Sequence, residues 1–192
     1  MSGSLTSGIR SVAVFCGSSE GHRGVYRSAA ASLGRFLCQR NIHIVYGGGN
    51  VGLMGVLADA ALAEGATVTG VMPQHLVDRE IAHRGLSRLI VVDDMHERKA
   101  KMAELAEAFI ALPGGPGTME EFFEAWVWHQ LGLHSKPVGL LSVDGYYDAL
   151  GRFFEHMVEE GFMSRTYRDM IVVEKEATQL FERLSAQYGN TG

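Results

Sequence analysis

The chain contains no run of basic residues. Its 17 lysines and arginines are outnumbered by 22 acids, giving a formal charge of −5 and a pI near 5.9, which argues against a nucleic-acid partner. There are only two cysteines, Cys16 and Cys38, without metal or redox spacing, and both as free thiols suit a reducing cytoplasm. The eight histidines include no H-E-x-x-H, and His75 and His83 stand eight apart, so no metal is expected. No segment reaches the length of a membrane span, and residues 1–10 lack the charged and apolar blocks of a signal peptide. With no linker-like stretch and no internal repeat, residues 1–10 read as a flexible tail and residues 11–188 as one domain.

Glycine is abundant, with 24 residues, and most of them follow apolar runs. Short β-rich runs at 12–16, 42–46, 67–72, 89–92, 109–112, 137–143 and 171–173 alternate with helically spaced segments at 25–40, 53–64, 95–106, 118–131, 147–159 and 176–187. Residues 75–87 show no clear period. Continuous apolar strands separated by helices predict a parallel sheet covered on both faces. The expected fold is therefore α/β, a single-domain, doubly wound, Rossmann-like parallel sheet with its ligand crevice at the carboxyl ends of the strands. Glycine turns at Gly17-Ser18-Ser19, at 47–52 and at 113–118 all fall at such ends and can converge there.

The most informative turn is Pro113-Gly114-Gly115-Pro116-Gly117-Thr118, where a strand breaks and a helix begins. Unpaired amides and the helix dipole favour an anion at such a place, a phosphate above all. Glu121 follows one turn into the helix, which suggests chemistry as well as binding. Thr118 and Glu121 also satisfy a capping box, with Thr118 as N-cap, and that alternative stands beside the catalytic one. Asp94 and Glu97 form a second such box, but Arg98 and Lys99 oppose the helix dipole there, a cost that an anionic ligand would offset. Glu80 sits in the irregular stretch, where a charged residue is either solvated or functional.

Gly47-Gly48-Gly49-Asn50-Val51-Gly52 has G-x-G-x-x-G spacing after a strand. A dinucleotide site also needs an acid at the end of the next strand, and that strand ends Gly70-Val71-Met72-Pro73. No NAD or FAD site is expected, and no cofactor.

Pro113-Gly114-Gly115-Pro116-Gly117-Thr118-Met119-Glu120-Glu121, Met95-His96-Glu97-Arg98-Lys99 and Gly47-Gly48-Gly49-Asn50-Val51-Gly52-Leu53-Met54-Gly55 together resemble the three motif blocks of the LOG ("Lonely Guy") phosphoribohydrolases, in the same order. The resemblance implies cleavage of cytokinin riboside 5′-monophosphates, and often AMP, to the free base and ribose 5-phosphate. Glu121 and Arg98 would be catalytic, Glu121 by stabilising a cation at C1′ and Arg98 by holding the nucleotide and assisting departure of the base. Gly17, Ser18, Gly47, Gly48, Asn50, Glu80, Met95, Lys99, Pro113, Gly114, Gly115, Gly117 and Thr118 would bind the substrate. Many members carry a "lysine decarboxylase" label, but no pyridoxal-binding pattern surrounds Lys99, Lys101, Lys136 or Lys175. Molybdenum-cofactor carriers resemble the same scaffold, so a non-catalytic nucleotide or cofactor carrier is the alternative. Phe122, Phe123, Trp126, Val127, Trp128 and Leu131 make the motif helix apolar on more than one face, for core packing or for a dimer contact. The resemblance implies a homodimer or larger.

Overall fold

The computed structural model describes residues 8–79 and 81–189 of the 192. Seven strands, β1 Ser11–Phe15, β2 His43–Tyr46, β3 Val68–Pro73, β4 Arg88–Val92, β5 Ala108–Ala111, β6 Val138–Leu141 and β7 Ile171–Glu174, form one sheet in the order β4-β3-β2-β1-β5-β6-β7. Every pairing is parallel. The helices are α1 Gly24–Gln39, α2 Gly52–Ala63, α3 Gln74–Val77, α4 Met95–Leu105, α5 Pro116–Gln130, α6 Asp148–Glu159, α7 Arg165–Asp169 and α8 Ala177–Gly189. None of them is long and apolar enough to cross a membrane.

The strand order explains where a ligand can sit. From β1 the chain steps outward through β2 and β3 to β4, then returns to lay β5 on the other side of β1. Loops after β1 and β5 therefore diverge to opposite faces and leave a crevice between them, the switch point of a doubly wound sheet.

Both faces of the sheet are apolar because alternate strand residues point opposite ways. Val12 and Val14 join Ile44, Tyr46 and Ile110 under α1, α2 and α8, where Leu33, Leu37, Leu57, Leu180 and Leu184 are buried. Ala13 and Phe15 join Val45, Phe109 and Ala111 on the other face, against Met102 of α4, Phe122 and Trp126 of α5 and Phe154 of α6. Each large side chain so buried contributes about 1.5–3 kcal/mol.

Four expectations change. Residues 1–7 of the expected tail lie outside the described residues, but Ile9 is packed into the core and Arg10 hydrogen-bonds Glu107, so the domain takes up the chain before residue 11. The irregular stretch contains the short helix α3, and α7 forms where no element was expected, both too short to show a period. Helix α5 starts at Pro116 rather than Thr118, because proline at the first helical position gives up only an amide that would be unpaired anyway. Edge strand β4 is only partly covered, with Arg88 and Val91 exposed.

Candidate active site

Three turns at the carboxyl ends of β1, β2 and β5 are tied to one another by the backbone. Gly17 N–H donates to the Pro113 carbonyl at 3.1 Å, Leu112 N–H to the Phe15 carbonyl at 2.9 Å, and Leu53 N–H to the Gly17 carbonyl at 3.0 Å. Gly52, at φ +58°, sits directly on the Ser18 backbone, where any side chain would collide. The β2 loop can thus approach the β1 loop only through a glycine.

At the head of α5, Gly115 is the N-cap, and an early intrahelical bond runs from Met119 N–H to its carbonyl at 3.2 Å. The amides of Gly117 and Thr118 have no intrahelical partner, which makes this end receptive to an anion. Two consecutive tyrosines brace the turn from the loop after β6. Tyr146 Oη donates to the Gly114 carbonyl and Tyr147 Oη to the Leu112 carbonyl, both at 2.6 Å. Burial drives the Tyr147 hydroxyl pKa upward, so it stays a donor.

Two neighbouring lobes open between these turns. One, of 230 Å³, is lined by Cys16, Ser18, Gly47, Met54, Met95, Arg98, Gly115, Gly117, Thr118 and Glu121 among others. The second, of 260 Å³, is lined by Gly17, Ser18, Ser19, Glu20, Tyr26, Leu53, Pro113, Gly114, Gly115 and Tyr146 among others. Ser18 and Gly115 belong to both lobes. Their combined size suits a small molecule, which needs about 300–1,000 Å³.

Inside the first lobe, Arg98 Nη1 donates to Glu121 Oε1 at 2.8 Å, with both side chains only 10% exposed. Arg98 Nε donates to the carbonyl of Val71 within β3, at 3.1 Å. Its guanidinium also lies against the Cα of Gly47, in space that a side chain there would fill. Burial pushes the Glu121 carboxyl above the usual glutamate range, and the attraction of Arg98 offsets this only in part. Beneath the pair, Cys16 is buried and its thiol is pushed upward, first by desolvation and then by the Glu121 charge. It is an inert floor rather than a nucleophile.

The capping box expected at Thr118 does not form. Helix α5 begins early enough to place Glu121 in its second turn, beyond reach of the cap, and its carboxylate goes to Arg98. At α4 the box is nearly as expected. Asp94 accepts from His96 N–H and Glu97 N–H at 2.8 Å each, and Glu97 reaches back to Asp93 N–H at 2.8 Å rather than to Asp94. Those two backbone bonds outweigh desolvation and hold the Asp94 carboxyl below its usual range.

Of the residues read from the sequence, Gly17, Ser18, Gly47, Met95, Arg98, Pro113, Gly114, Gly115, Gly117, Thr118 and Glu121 line the crevice. Gly48 and Asn50 do not; their backbone instead pairs with a strap, His83 N–H donating to the Gly48 carbonyl and Asn50 N–H to the Ile81 carbonyl. Lys99 is buried and turned toward α5, where it pairs with Glu120 and Glu124. Glu80 lies outside the described residues. Cys16, Tyr26, Leu53, Met54 and Tyr146 line the crevice without having been singled out. Leu53 and Met54 stand inside the third motif block, and Tyr146 follows β6 beside β5, so strand order was the signal available for it.

A family model described as "Possible lysine decarboxylase" matches residues 54–184. Among curated proteins, the chain is 50% identical over 182 residues to a probable cytokinin riboside 5′-monophosphate phosphoribohydrolase of Oryza sativa subsp. japonica, covering 95% of this chain and 73% of that one. It is 50% identical over 175 residues to a cytokinin riboside 5′-monophosphate phosphoribohydrolase of Arabidopsis thaliana, covering 91% and 81%. Among solved structures, the molybdenum cofactor binding protein of Rippkaea orientalis superposes with a TM-score of 0.69 over 92% of this chain and 95% of that one, at 18% identity.

Proposed function

The chain belongs to the LOG family of cytokinin riboside 5′-monophosphate phosphoribohydrolases, and on that premise we propose that it hydrolyses the N-glycosidic bond of purine nucleoside 5′-monophosphates, releasing the base and ribose 5-phosphate. The observation that carries this reading is the buried Arg98–Glu121 pair, open to a crevice headed by unpaired helix amides.

The 5′-phosphate binds at the amides of Gly117 and Thr118 with Gly114 and Gly115 alongside, so a group that does not react supplies the binding energy that orients the ribose. Breaking the C1′–N9 bond leaves positive charge on the ribose, as in other glycoside hydrolysis. The Glu121 carboxylate stabilises that charge in a site largely closed to solvent, where electrostatic terms are large. Water adds to C1′ and its proton passes to Glu121, while the departing purine takes up a proton from solvent; Glu121 then gives its proton back to solvent, so that one water is divided between ribose and base. Arg98 holds Glu121 in place and attracts its charge; a guanidinium keeps its own proton at neutral pH and is a poor acid. This departs from the sequence reading, in which Arg98 assists the leaving base.

The carrier alternative draws on likeness to a molybdenum cofactor binding protein at 18% identity, which is a likeness of fold. The decarboxylase description finds no counterpart in the crevice, which no lysine lines among the described residues. We also assign the protein to the cytoplasm, which its two free cysteines suit, and to a homodimer or larger assembly. In that assembly Phe122 and Trp126 are taken up by the core, leaving Val127, Leu131 and Leu133 as the exposed apolar residues at the end of α5.

The test is to incubate the protein with AMP, an N6-modified AMP, GMP and adenosine, and to resolve the released bases by chromatography. Base release from the adenine monophosphates, with adenosine a poor substrate, is expected. Release from none of them overturns the reading, and equal turnover of adenosine and AMP removes the phosphate from it.

A further inference from the structure

Arg98 and Lys99 are consecutive on α4 and both reach α5, yet they end in different surroundings. Arg98 meets Glu121 in the crevice. Lys99 meets Glu120 and Glu124, which stand one helical turn apart on α5 and bracket Glu121. Lys99 is absent from the crevice lining and instead lines a gap of only 10 Å³ whose walls include Phe15, Phe109 and Trp128. Such a gap is at the lower limit for a single water and far too small for part of a nucleotide. Glu121 lines both the gap and the crevice, and Glu120, which pairs with the lysine, lines the crevice too, so it is carboxylates rather than the ammonium that face the crevice.

We propose that Lys99 is a positioning residue for the hydrolysis, clamping α4 to α5 through Glu120 and Glu124 so that Glu121 meets Arg98 and C1′ at a fixed place, without itself touching the nucleotide. This rests on the hydrolase reading above.

The charges favour such a clamp. Glu120, Glu121 and Glu124 crowd three carboxylates into little more than one turn of α5, and without a cation they would repel one another. Lys99 is only 9% exposed; desolvation works against its charge, but Glu120 and Glu124 together hold its pKa above the usual lysine value. Its field also reaches Glu121, where it opposes the upward push from Glu120. Losing the lysine therefore has two effects at the neighbouring carboxylate. It frees the helix to shift, and it raises the pH at which Glu121 becomes charged.

The experiment compares Lys99→Met and Lys99→Arg with the wild type, using AMP as the substrate. For Lys99→Met, kcat should fall about 10- to 100-fold, the range expected when reacting groups are misplaced by roughly an ångström. KM should stay within about threefold, since binding at the phosphate loop is unchanged. The acid limb of the kcat profile should move to higher pH, and Lys99→Arg should restore both kcat and limb. A large rise in KM with kcat retained would place the lysine on the nucleotide and overturn the proposal. So would a lowered melting temperature with kcat and the acid limb unchanged, which marks packing alone. If Lys99→Met does not fold, Glu124→Gln carries the test by removing one arm of the clamp, and an unchanged kcat there overturns it as well. A wild-type chain that cleaves no nucleotide sinks the hydrolase reading together with this one, whereas normal wild-type turnover with an unaffected Lys99→Met sinks this one alone.

Discussion

Arg98 rests on Gly47, with its Nη2 nitrogen in the space where a side chain at position 47 would begin. The contact joins the loop after β2 to the buried Arg98–Glu121 pair, because the same guanidinium donates to Glu121. A methyl group at this position displaces the end of a flexible side chain rather than backbone, so it tests the pair without testing the fold.

Gly47→Ala should leave the protein folded and lower kcat on AMP by about tenfold or more, as expected for a misplaced electrostatic group. In an Arg98→Ala background the same substitution should have little further effect, because residues acting as a unit are non-additive. Equal losses in both backgrounds would separate Gly47 from the pair. Circular dichroism and steady-state kinetics on the four proteins decide it.

Glu121→Gln keeps the shape of the side chain and an oxygen able to accept from Arg98, but removes the charge. Single-turnover cleavage of AMP should slow by roughly 10²–10³-fold, while AMP affinity by calorimetry survives, since the amides at the head of α5 remain. Near-normal cleavage in a well-folded variant would remove Glu121 from the catalytic step.

The pH dependence follows from the direction of the Glu121 shift. Its carboxyl is raised by burial, so protonation sets in above the value of about 4.3 for an ordinary glutamate. Activity needs the charged form and should fall as pH drops through that raised value. The acid limb of kcat should thus lie above the ordinary glutamate range and vanish from the residual activity of Glu121→Gln. A limb at or below the ordinary value would contradict the assignment.

For assembly, sedimentation should show a homodimer or larger at micromolar concentration. Leu131→Glu combined with Leu133→Glu, both positions being exposed, should shift the population toward monomer without loss of fold. A wild-type monomer of 20.9 kDa would contradict the assembly. Dissociation of the assembly by other changes, with none from these two leucines, would move the contact elsewhere.

What was legible in the sequence was periodic or local. Val12 and Val14 alternate with Ala13 and Phe15 to opposite faces of the sheet, and the apolar run at 12–16 carried that information. The glycine turns marked the strand ends, and strand alternation gave the parallel sheet. The site was legible as far as residue type and helix position reach, which brought Arg98, Thr118 and Glu121 to one crevice. The destination of Lys99 was not legible. Arg98 and Lys99 are adjacent cations at the same helix end, and only the packing of α4 against α5 sends one to the crevice and the other to Glu124. Nor does local pattern show which aromatics of α5 are buried. Phe122 and Trp126 meet Phe154 of α6, a contact that depends on a helix arriving about thirty residues later.

The composition of the crevice also governs how a nucleotide arrives. Among the described residues its formal charges are those of Arg98, Glu20, Glu120 and Glu121, and each acid has a cation beside it: Arg98 for Glu121, Lys99 for Glu120 and Arg27 for Glu20, in a chain of net charge −5. On the proposed hydrolase reading, a phosphate monoester meets paired charges at the entrance and is captured at close range by backbone amides, with no basic patch to draw it in. Encounter is then unsteered by long-range attraction, near the ordinary ~10⁵–10⁶ M⁻¹s⁻¹ of neutral pairs, and depends only weakly on added salt. The same lack of a basic patch leaves ribose 5-phosphate no long-range hold at the entrance, so an entrance that does not speed loading does not delay clearance of the product either.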